Sequence, residues 1–178
     1  MSIRIDRFEV SGEVLDTHDA RIGGAQLEVR GPNTTSTESD AHGAFRTDEL
    51  PVGEYTLTVH ARGYASQTVR IVIPHRGEWA NIRVRLLSLR KKALDAIHPV
   101  AAEVMPRGAW GVTTAREVVK AAKGKGPLPK ALPPLAEKAE VAGYALEPPT
   151  EALVAEIEEA RDDALHELAA RKPRTEPS

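Results

Sequence analysis

Cysteine is absent from the 178-residue chain, which excludes disulfide scaffolds, thiolate-held zinc and thiol catalysis. Aromatic residues make up only 4% of it, with Trp79 and Trp110 the two tryptophans, so stacking platforms for bases or sugars are nearly lacking. No apolar run reaches the ~18 residues that a membrane-spanning helix needs. Net charge is small as well: 24 basic against 26 acidic side chains leave −2, too little for a global field that would gather nucleic acid or an anionic membrane. Met1 to Val10 alternates charged with apolar residues and holds no secretory core segment, so a cytoplasmic location is expected, with export by a signal-independent route left open. What remains is an ordinary globular composition, 41% apolar and 28% charged, enough for one mid-sized domain or two small ones.

The texture changes near residue 90. Every lysine lies at Lys91 or later, whereas the part before it uses arginine alone. In that first part apolar residues alternate: Phe8, Val10, Gly12 and Val14; Ala25, Leu27 and Val29; Tyr55, Leu57, Val59 and Ala61; Val69, Ile71 and Ile73; Ile82, Val84 and Leu86. Period two marks half-buried strands. Turn clusters separate them at Gly23-Gly24, Gly31-Pro32-Asn33, Asp40-Ala41-His42-Gly43, Pro51-Val52-Gly53 and Arg62-Gly63. With the weaker runs Thr34 to Ser39 and Gly43 to Thr47, seven strands are expected. Polar outward positions such as Arg70, Arg83 and Arg85 suit a two-sheet antiparallel sandwich.

The strings Val10-Ser11-Gly12-Glu13-Val14-Leu15-Asp16, Ile22-Gly23-Gly24-Ala25-Gln26-Leu27-Glu28-Val29 and Ser39-Asp40-Ala41-His42-Gly43-Ala44-Phe45 follow one another. Leu50-Pro51-Val52-Gly53-Glu54-Tyr55-Thr56-Leu57-Thr58-Val59 and Arg62-Gly63-Tyr64 complete the series. Together they resemble the carboxypeptidase regulatory-like domain. The resemblance covers roughly Ile5 to Leu87 and implies a seven-stranded, prealbumin-like, Ig-like β-sandwich. Within that class the purine-pathway hydrolases end in Tyr-Arg-Gly-Ser, an ending this sandwich lacks.

After Leu89 alternation stops and apolar residues recur at three and four, the helical period. A first helix is expected from Leu87 to Met105, interrupted or shifted at Pro99, which lacks the N–H an interior turn needs. Thr114 with Glu117 forms a capping box ahead of Val118, Val119, Ala121 and Ala122, and Gly124-Lys125-Gly126-Pro127 ends that helix. A third runs from Pro134 to Ala142, stopped by Gly143. The last runs from Thr150 to about Arg171 with the stripe Leu153, Ile157, Ala160, Ala164, Leu165 and Leu168, packed on the helix bearing Leu94 and Ile97 or the one bearing Leu135 and Val141. The expected organisation is therefore a sandwich at 1–89, a small helical bundle at 90–172 and a disordered tail at 173–178. Trp110-Gly111-Val112-Thr113-Thr114-Ala115-Arg116-Glu117, then Leu132 to Tyr144 and the long helix, is similar to the uncharacterised helical tail that follows transglutaminase-like domains in bacterial membrane proteins. That tail usually carries proline where Ala115 stands.

Chemistry-bearing patterns are sparse. None of the six histidines (His18, His42, His60, His75, His98, His166) has a partner at i, i+4 in a His-Glu-x-x-His string, and turn or surface roles are expected for them. Asp16, Asp19 and Asp40 lack the dense acidic spacing of a calcium loop and read as turn residues. No Gly-x-Ser-x-Gly elbow occurs, and Lys123-Gly124-Lys125-Gly126 follows a helix and precedes Pro127, unlike a phosphate loop. No metal and no cofactor is expected. Arg116, Lys120, Lys123, Lys125 and Lys130 form the most basic window, which could contact phosphates; without interleaved aromatics it reads as a solvated helix end, and nucleic-acid binding is not expected.

The expectation is thus a non-enzymatic scaffold or adaptor, the sandwich as accessory module and the helical part choosing the partner. Trp110, Arg116, Lys120 and Lys123 are the candidate partner-binding residues. The neighbours that such helical tails keep suggest a larger ATPase or a von Willebrand A-type assembly as partner; self-association through the last helix is the other route. The alternative function is small-ligand or carbohydrate binding by the loops Asp16 to Gly24 and Asp40 to Gly43. An enzyme built on His98, Glu103 and Arg116 is the third class.

Overall fold

The computed structural model describes residues 7–74, 81–106 and 114–171. The expectations for His75, Trp79, Trp110 and the 173–178 tail lie outside those residues. The described elements are β1 (Arg7–Asp16), β2 (Gln26–Arg30), β3 (Thr34–Glu38), β4 (Ala44–Pro51), β5 (Gly53–His60), β6 (Gln67–Ile73), β7 (Ile82–Leu86), α1 (Leu89–Asp95), α2 (His98–Val104), α3 (Ala115–Gly124), α4 (Leu132–Tyr144) and α5 (Glu151–Ala169). The chain divides into two compact units, Met1–Ser88 and Leu89–Ser178.

The first unit is a sandwich of two sheets, β4-β1-β7 and β3-β2-β5-β6. Its strands form where the alternation puts one set of side chains inside: Tyr55, Leu57 and Val59 of β5 are buried while Glu54, Thr56 and His60 face out. Val10, Val14, Leu27, Val29, Phe45, Leu50, Ile73, Val84 and Leu86 complete the apolar interior. Burial pushes the Tyr55 hydroxyl pKa up, and that hydroxyl donates to the Pro51 carbonyl at 2.9 Å. In β4, Thr47 and Asp48 stand opposite the single Val10, a bulge at which the Val10 N–H is met by Thr47 Oγ1 at 3.2 Å. Buried Ser39 accepts from Ala25 N and donates to Ile22 O, leaving no orphaned hydroxyl.

One expectation is corrected. The sandwich is not strictly antiparallel, because β1 and β7 pair in parallel, with Gly12 opposite Ile82 and Asp16 opposite Leu86. Successive strands reverse direction along the chain, so odd-numbered strands point the same way. Once β4 occupies one side of β1, β7 takes the other, and two odd-numbered neighbours must run parallel.

In the second unit α4 packs against α1, α3 and α5, while α5 also packs against α1 and α2. Leu132, Leu135, Val100, Val118, Val154 and Ile157 are buried, with Ala93, Ala101, Ala139 and Ala164 letting the helices approach closely. The first expected helix is two, broken at Ala96-Ile97, with Pro99 in the opening turn of α2 where its missing N–H leaves nothing unpaired. Thr114 and Glu117 form the capping box of α3. Glu167 of α5 accepts from the backbone N–H of Lys130 and Ala131 at 2.9 and 3.2 Å, ahead of α4. These donors, the Lys130 N–H first, hold the Glu167 carboxyl below its ordinary pKa.

Three further expectations shift. Gly143 does not stop α4, which continues to Tyr144; a Cβ at Gly143 would stand 2.8 Å from Leu94 Cγ, so the glycine serves close approach of α1 and α4. The buried line of α5 is Val154, Ile157 and Ala164, with Leu153, Leu165 and Leu168 half-buried beside it. Val141 is not part of the α5 contact: Leu135, Ala139 and Ala142 face inward, and Val141 lies on the opposite side of α4.

Candidate protein-docking site

The sandwich loops hold two turns of one design. Asp16 Oδ1 accepts from His18 N and Ala20 N at 2.7 and 2.9 Å; Asp40 Oδ1 accepts from His42 N and Ala44 N at 2.8 and 2.9 Å. The third residue after each Asp is left-handed, Asp19 at φ 62° and Gly43 at φ 73°, as a chain reversing within four residues requires. The donors, Ala20 N–H first, lower the Asp16 pKa. Asp19 reaches Arg85 at 2.7 Å. These carboxylates are occupied by their own loops, and no group of three His, Cys, Asp or Glu that could hold a metal is found among the described residues.

His98, Glu103 and Arg116 are not brought to one place. His98 lies 3.7 Å from Asp95 and lines a cleft of about 350 Å³ with Leu94, Ile97 and Tyr144. Glu103 lines a different cleft with Lys125 and Arg171, and Arg116 pairs with Glu140 of α4 at 3.0 Å. Arg116, Lys120 and Lys123, spaced four and three apart, do share one exposed face of α3. Among the described residues Lys120 and Lys123 have no carboxylate within ion-pair distance.

Among the described residues, the largest apolar exposure lies on α4 and just beyond it. Val141 is 59% exposed, Tyr144 76% and Leu146 102%. Glu137, Val141 and Tyr144 follow the helical period, on the side away from Leu135, Ala139 and Ala142. The loop after α4 is braced: Arg90 Nη2 donates to the carbonyls of Ala145 and Glu147 at 2.6 and 3.5 Å. Leu146 is thus held out between two anchored carbonyls. Beside this patch, a groove of about 290 Å³ between α3 and α4 is floored by Val119, Pro133 and Ala136, with Arg116, Glu137 and Glu140 along it. The sequence pattern did not reveal this surface, since it offered the helix bearing Leu135 and Val141 only as one of two partners for the last helix. The available signal was an isolated Leu146 between a helix end and Pro148-Pro149.

Residues 9–87 match the model of the carboxypeptidase regulatory-like domain. The match begins in β1 and ends just after β7, within the sandwich unit. No curated protein matches the chain. Among solved structures the chain is similar to a streptococcal ancillary pilin at 20% identity and TM-score 0.40, over 47% of this chain and 30% of that one. It is similar to catechol 1,2-dioxygenase from Acinetobacter radioresistens at 15% identity and TM-score 0.40, over 48% and 53%. The Bacillus anthracis TIE protein is similar at 17% identity and TM-score 0.38, over 46% and 16%. The chain thus spans about half of the dioxygenase and less of the other two.

The matched residues of the regulatory-like domain have structural roles that the fold explains. Gly12 lies between β4 and β7 under the Phe45 ring, Asp40 and Gly43 close the turn into β4, and Tyr55 fills the interior. None of them pairs a nucleophile with a base. The match to this family suggests an accessory or binding module for the sandwich.

Proposed function

We propose that the protein is a non-catalytic adaptor, in which the regulatory-like sandwich is the accessory module and the helical unit docks a protein partner through Val141, Tyr144 and Leu146. The observation that carries this reading is the braced Leu146. An apolar side chain wholly in water, on a loop whose flanking carbonyls are held by Arg90, is presented without the ordering cost that a loose loop incurs on binding. Fully burying Val141 and Leu146 would stabilise a complex by roughly 1.5–3 kcal/mol each, and Tyr144 adds a ring of the kind enriched at interface centres. Three of the four large apolar side chains exposed among the described residues fall in this stretch, a concentration that scattered surface exposure does not produce.

A crosslinked pull-down from the native cells, comparing the whole chain with its Tyr144→Ser/Leu146→Ser double variant, tests the reading. One protein recovered by the wild type and lost by the variant is expected. Recovery of the same protein by both chains would remove Tyr144 and Leu146 from the docking surface.

A further inference from the structure

We propose that the sandwich binds a second copy of the chain edge to edge, the two β6 strands pairing antiparallel about Ile71 so that the two four-stranded sheets join into one. The contact uses none of the α4 residues and stands independently of them.

The two open sides of the sandwich differ. On one, the edge strands β3 and β4 are tied together, Thr35 Oγ1 donating to the Asp48 carboxylate at 3.2 Å and Thr37 Oγ1 to the Arg46 carbonyl at 2.8 Å. β4 also carries the bulge opposite Val10, the acids Asp48 and Glu49, and Pro51 at its end, the usual protections of a sheet edge. On the other side, among the described residues, the backbone hydrogen bond between the two sheets is Ala65 N–H to the Leu87 carbonyl at 2.9 Å, ahead of β6 itself. β6 has none of those protections: its seven residues include no proline, glycine or bulge, and Arg70 is its single charge.

Which groups β6 leaves open follows from the register. The Ser39 N–H donates to the Ala25 carbonyl, so Ala25, Leu27 and Val29 turn their backbone polar groups towards β3. Bonding alternates along antiparallel strands, so Gln26, Glu28 and Arg30 bond β5 through His60, Thr58 and Thr56. The other set on β5, Tyr55, Leu57 and Val59, then bonds β6 through Ile71, Val69 and Gln67. Thr68, Arg70 and Val72 therefore point N–H and C=O outward, and among the described residues no backbone group meets them. Their side chains are exposed as well, Val72 by 55%. Among the described residues it is the one large exposed apolar side chain outside the α4 patch.

A second β6 fits this edge about a two-fold axis, where residue i of one copy meets j of the other and j meets i. Pairing about Arg70 would oppose two guanidiniums, which is destabilising. Pairing about Val69 would set Gln67 against Ile71 on the inward face. Pairing about Ile71 sets Ile71 against Ile71 and Val69 against Ile73 inward, and Arg70 against Val72 outward. Each Arg70 and Val72 then exchange both N–H···O bonds, using the groups that β6 leaves open. Arg70 keeps its ion pair with Glu54, and its aliphatic stem covers the exposed Val72. One strand pair makes a small interface, so the dimer is weak and reversible. Self-association through the last helix has less in its favour: Val154, Ile157 and Ala164 of α5 are already buried within the helical unit.

Sedimentation velocity of the whole chain, from about 1 µM to about 1 mM, tests the proposal. A reversible dimer is expected, little changed by salt because no exposed charges oppose each other across it. Val72→Pro removes an outward N–H and leaves the ladder to β5 intact, as proline on a free edge does. Both Val72 donors are then lost from the dimer, and association should weaken by about tenfold or more. Val72→Lys, which sets a cation opposite Arg70 of the other copy, should weaken it likewise, and circular dichroism checks that each variant is folded. The chain has no cysteine, so single substitutions read the register. Arg70→Cys mixed with Val72→Cys should form a disulfide between copies faster than either variant alone, since the paired Cα atoms would lie about 5.5 Å apart.

A wild type that stays monomeric at every concentration overturns the proposal. A folded Val72→Pro or Val72→Lys variant that dimerises as well as the wild type does the same, and so does Arg70→Cys linking to itself faster than to Val72→Cys. A monomeric wild type that captures another protein, lost in Val72→Pro, would give the β6 edge to a foreign extended segment and sink the second copy.

Discussion

Gly12 offers a sharp test of the sandwich, because two effects of opposite sign compete there. Replacing a strand-interior glycine by alanine removes backbone freedom from the unfolded chain and by itself stabilises by roughly 0.5–1 kcal/mol. Against this, a Cβ at Gly12 would lie 2.7 and 2.8 Å from Cζ and Cε1 of Phe45 and closer still to the carbonyl oxygen of Ile82. Phe45 is buried and cannot swing into solvent without emptying the interior. Ile82 O belongs to the strand paired with β1 and moves only with β7. Relieving both contacts requires a shift of about 1 Å in a packed sheet, a strain in the range of ~1–3 kcal/mol or above for overpacked interiors. The steric cost wins, and Gly12→Ala should destabilise by about 1–2 kcal/mol net, lowering the melting temperature of a unit this size by several degrees. Urea unfolding of the whole chain followed by far-ultraviolet circular dichroism measures it. Adding Phe45→Leu on top of Gly12→Ala should cost less than Phe45→Leu alone, since part of the strain is with the ring. A Gly12→Ala variant as stable as the wild type, or more so, would refute the account of why glycine stands between β4 and β7.

Two further outcomes concern the helical unit. Gly143→Ala gains about 1 kcal/mol of helix propensity but places a Cβ against Leu94, so it should destabilise in the wild type and stabilise in a Leu94→Ala background; thermal melts giving the same sign in both would show that Leu94 is not the obstacle. Glu167 titrates below the ordinary glutamate value of 4.5, so between its folded and unfolded pKa values the unfolded chain binds more protons and stability rises with pH. Its contribution is complete above that ordinary value and is lost as pH falls through the folded one. The stability gap between wild type and Glu167→Gln, which keeps one acceptor for the Lys130 and Ala131 N–H groups, should narrow on acidification from neutral pH to about pH 3. A gap that does not change with pH would mean that the carboxylate charge plays no part in that cap.

Local patterns in the sequence determined the parts of this protein that depend on neighbours along the chain. Alternation at Tyr55, Leu57 and Val59 specified a strand and its inward face. Asp40 with Gly43 specified a turn, and Thr114 with Glu117 specified a helix start, because each of those hydrogen bonds closes within four residues. The direction of β7 beside β1 was decided by which side of β1 the β4 strand left open, a choice between elements distant in sequence. Gly143 carried a stop signal in the sequence and became a contact because Leu94 arrives from another helix. For the same reason the candidate site was only half legible. Arg116, Lys120 and Lys123 share a face by helical spacing alone, whereas Val141 had two apolar surroundings to choose from, and the packing of α4 through Leu135, Ala139 and Ala142 turned it to solvent. Leu146 owes its presentation to Arg90, which holds the neighbouring Ala145 carbonyl from 55 residues away along the chain, a partnership that only the tertiary fold could make.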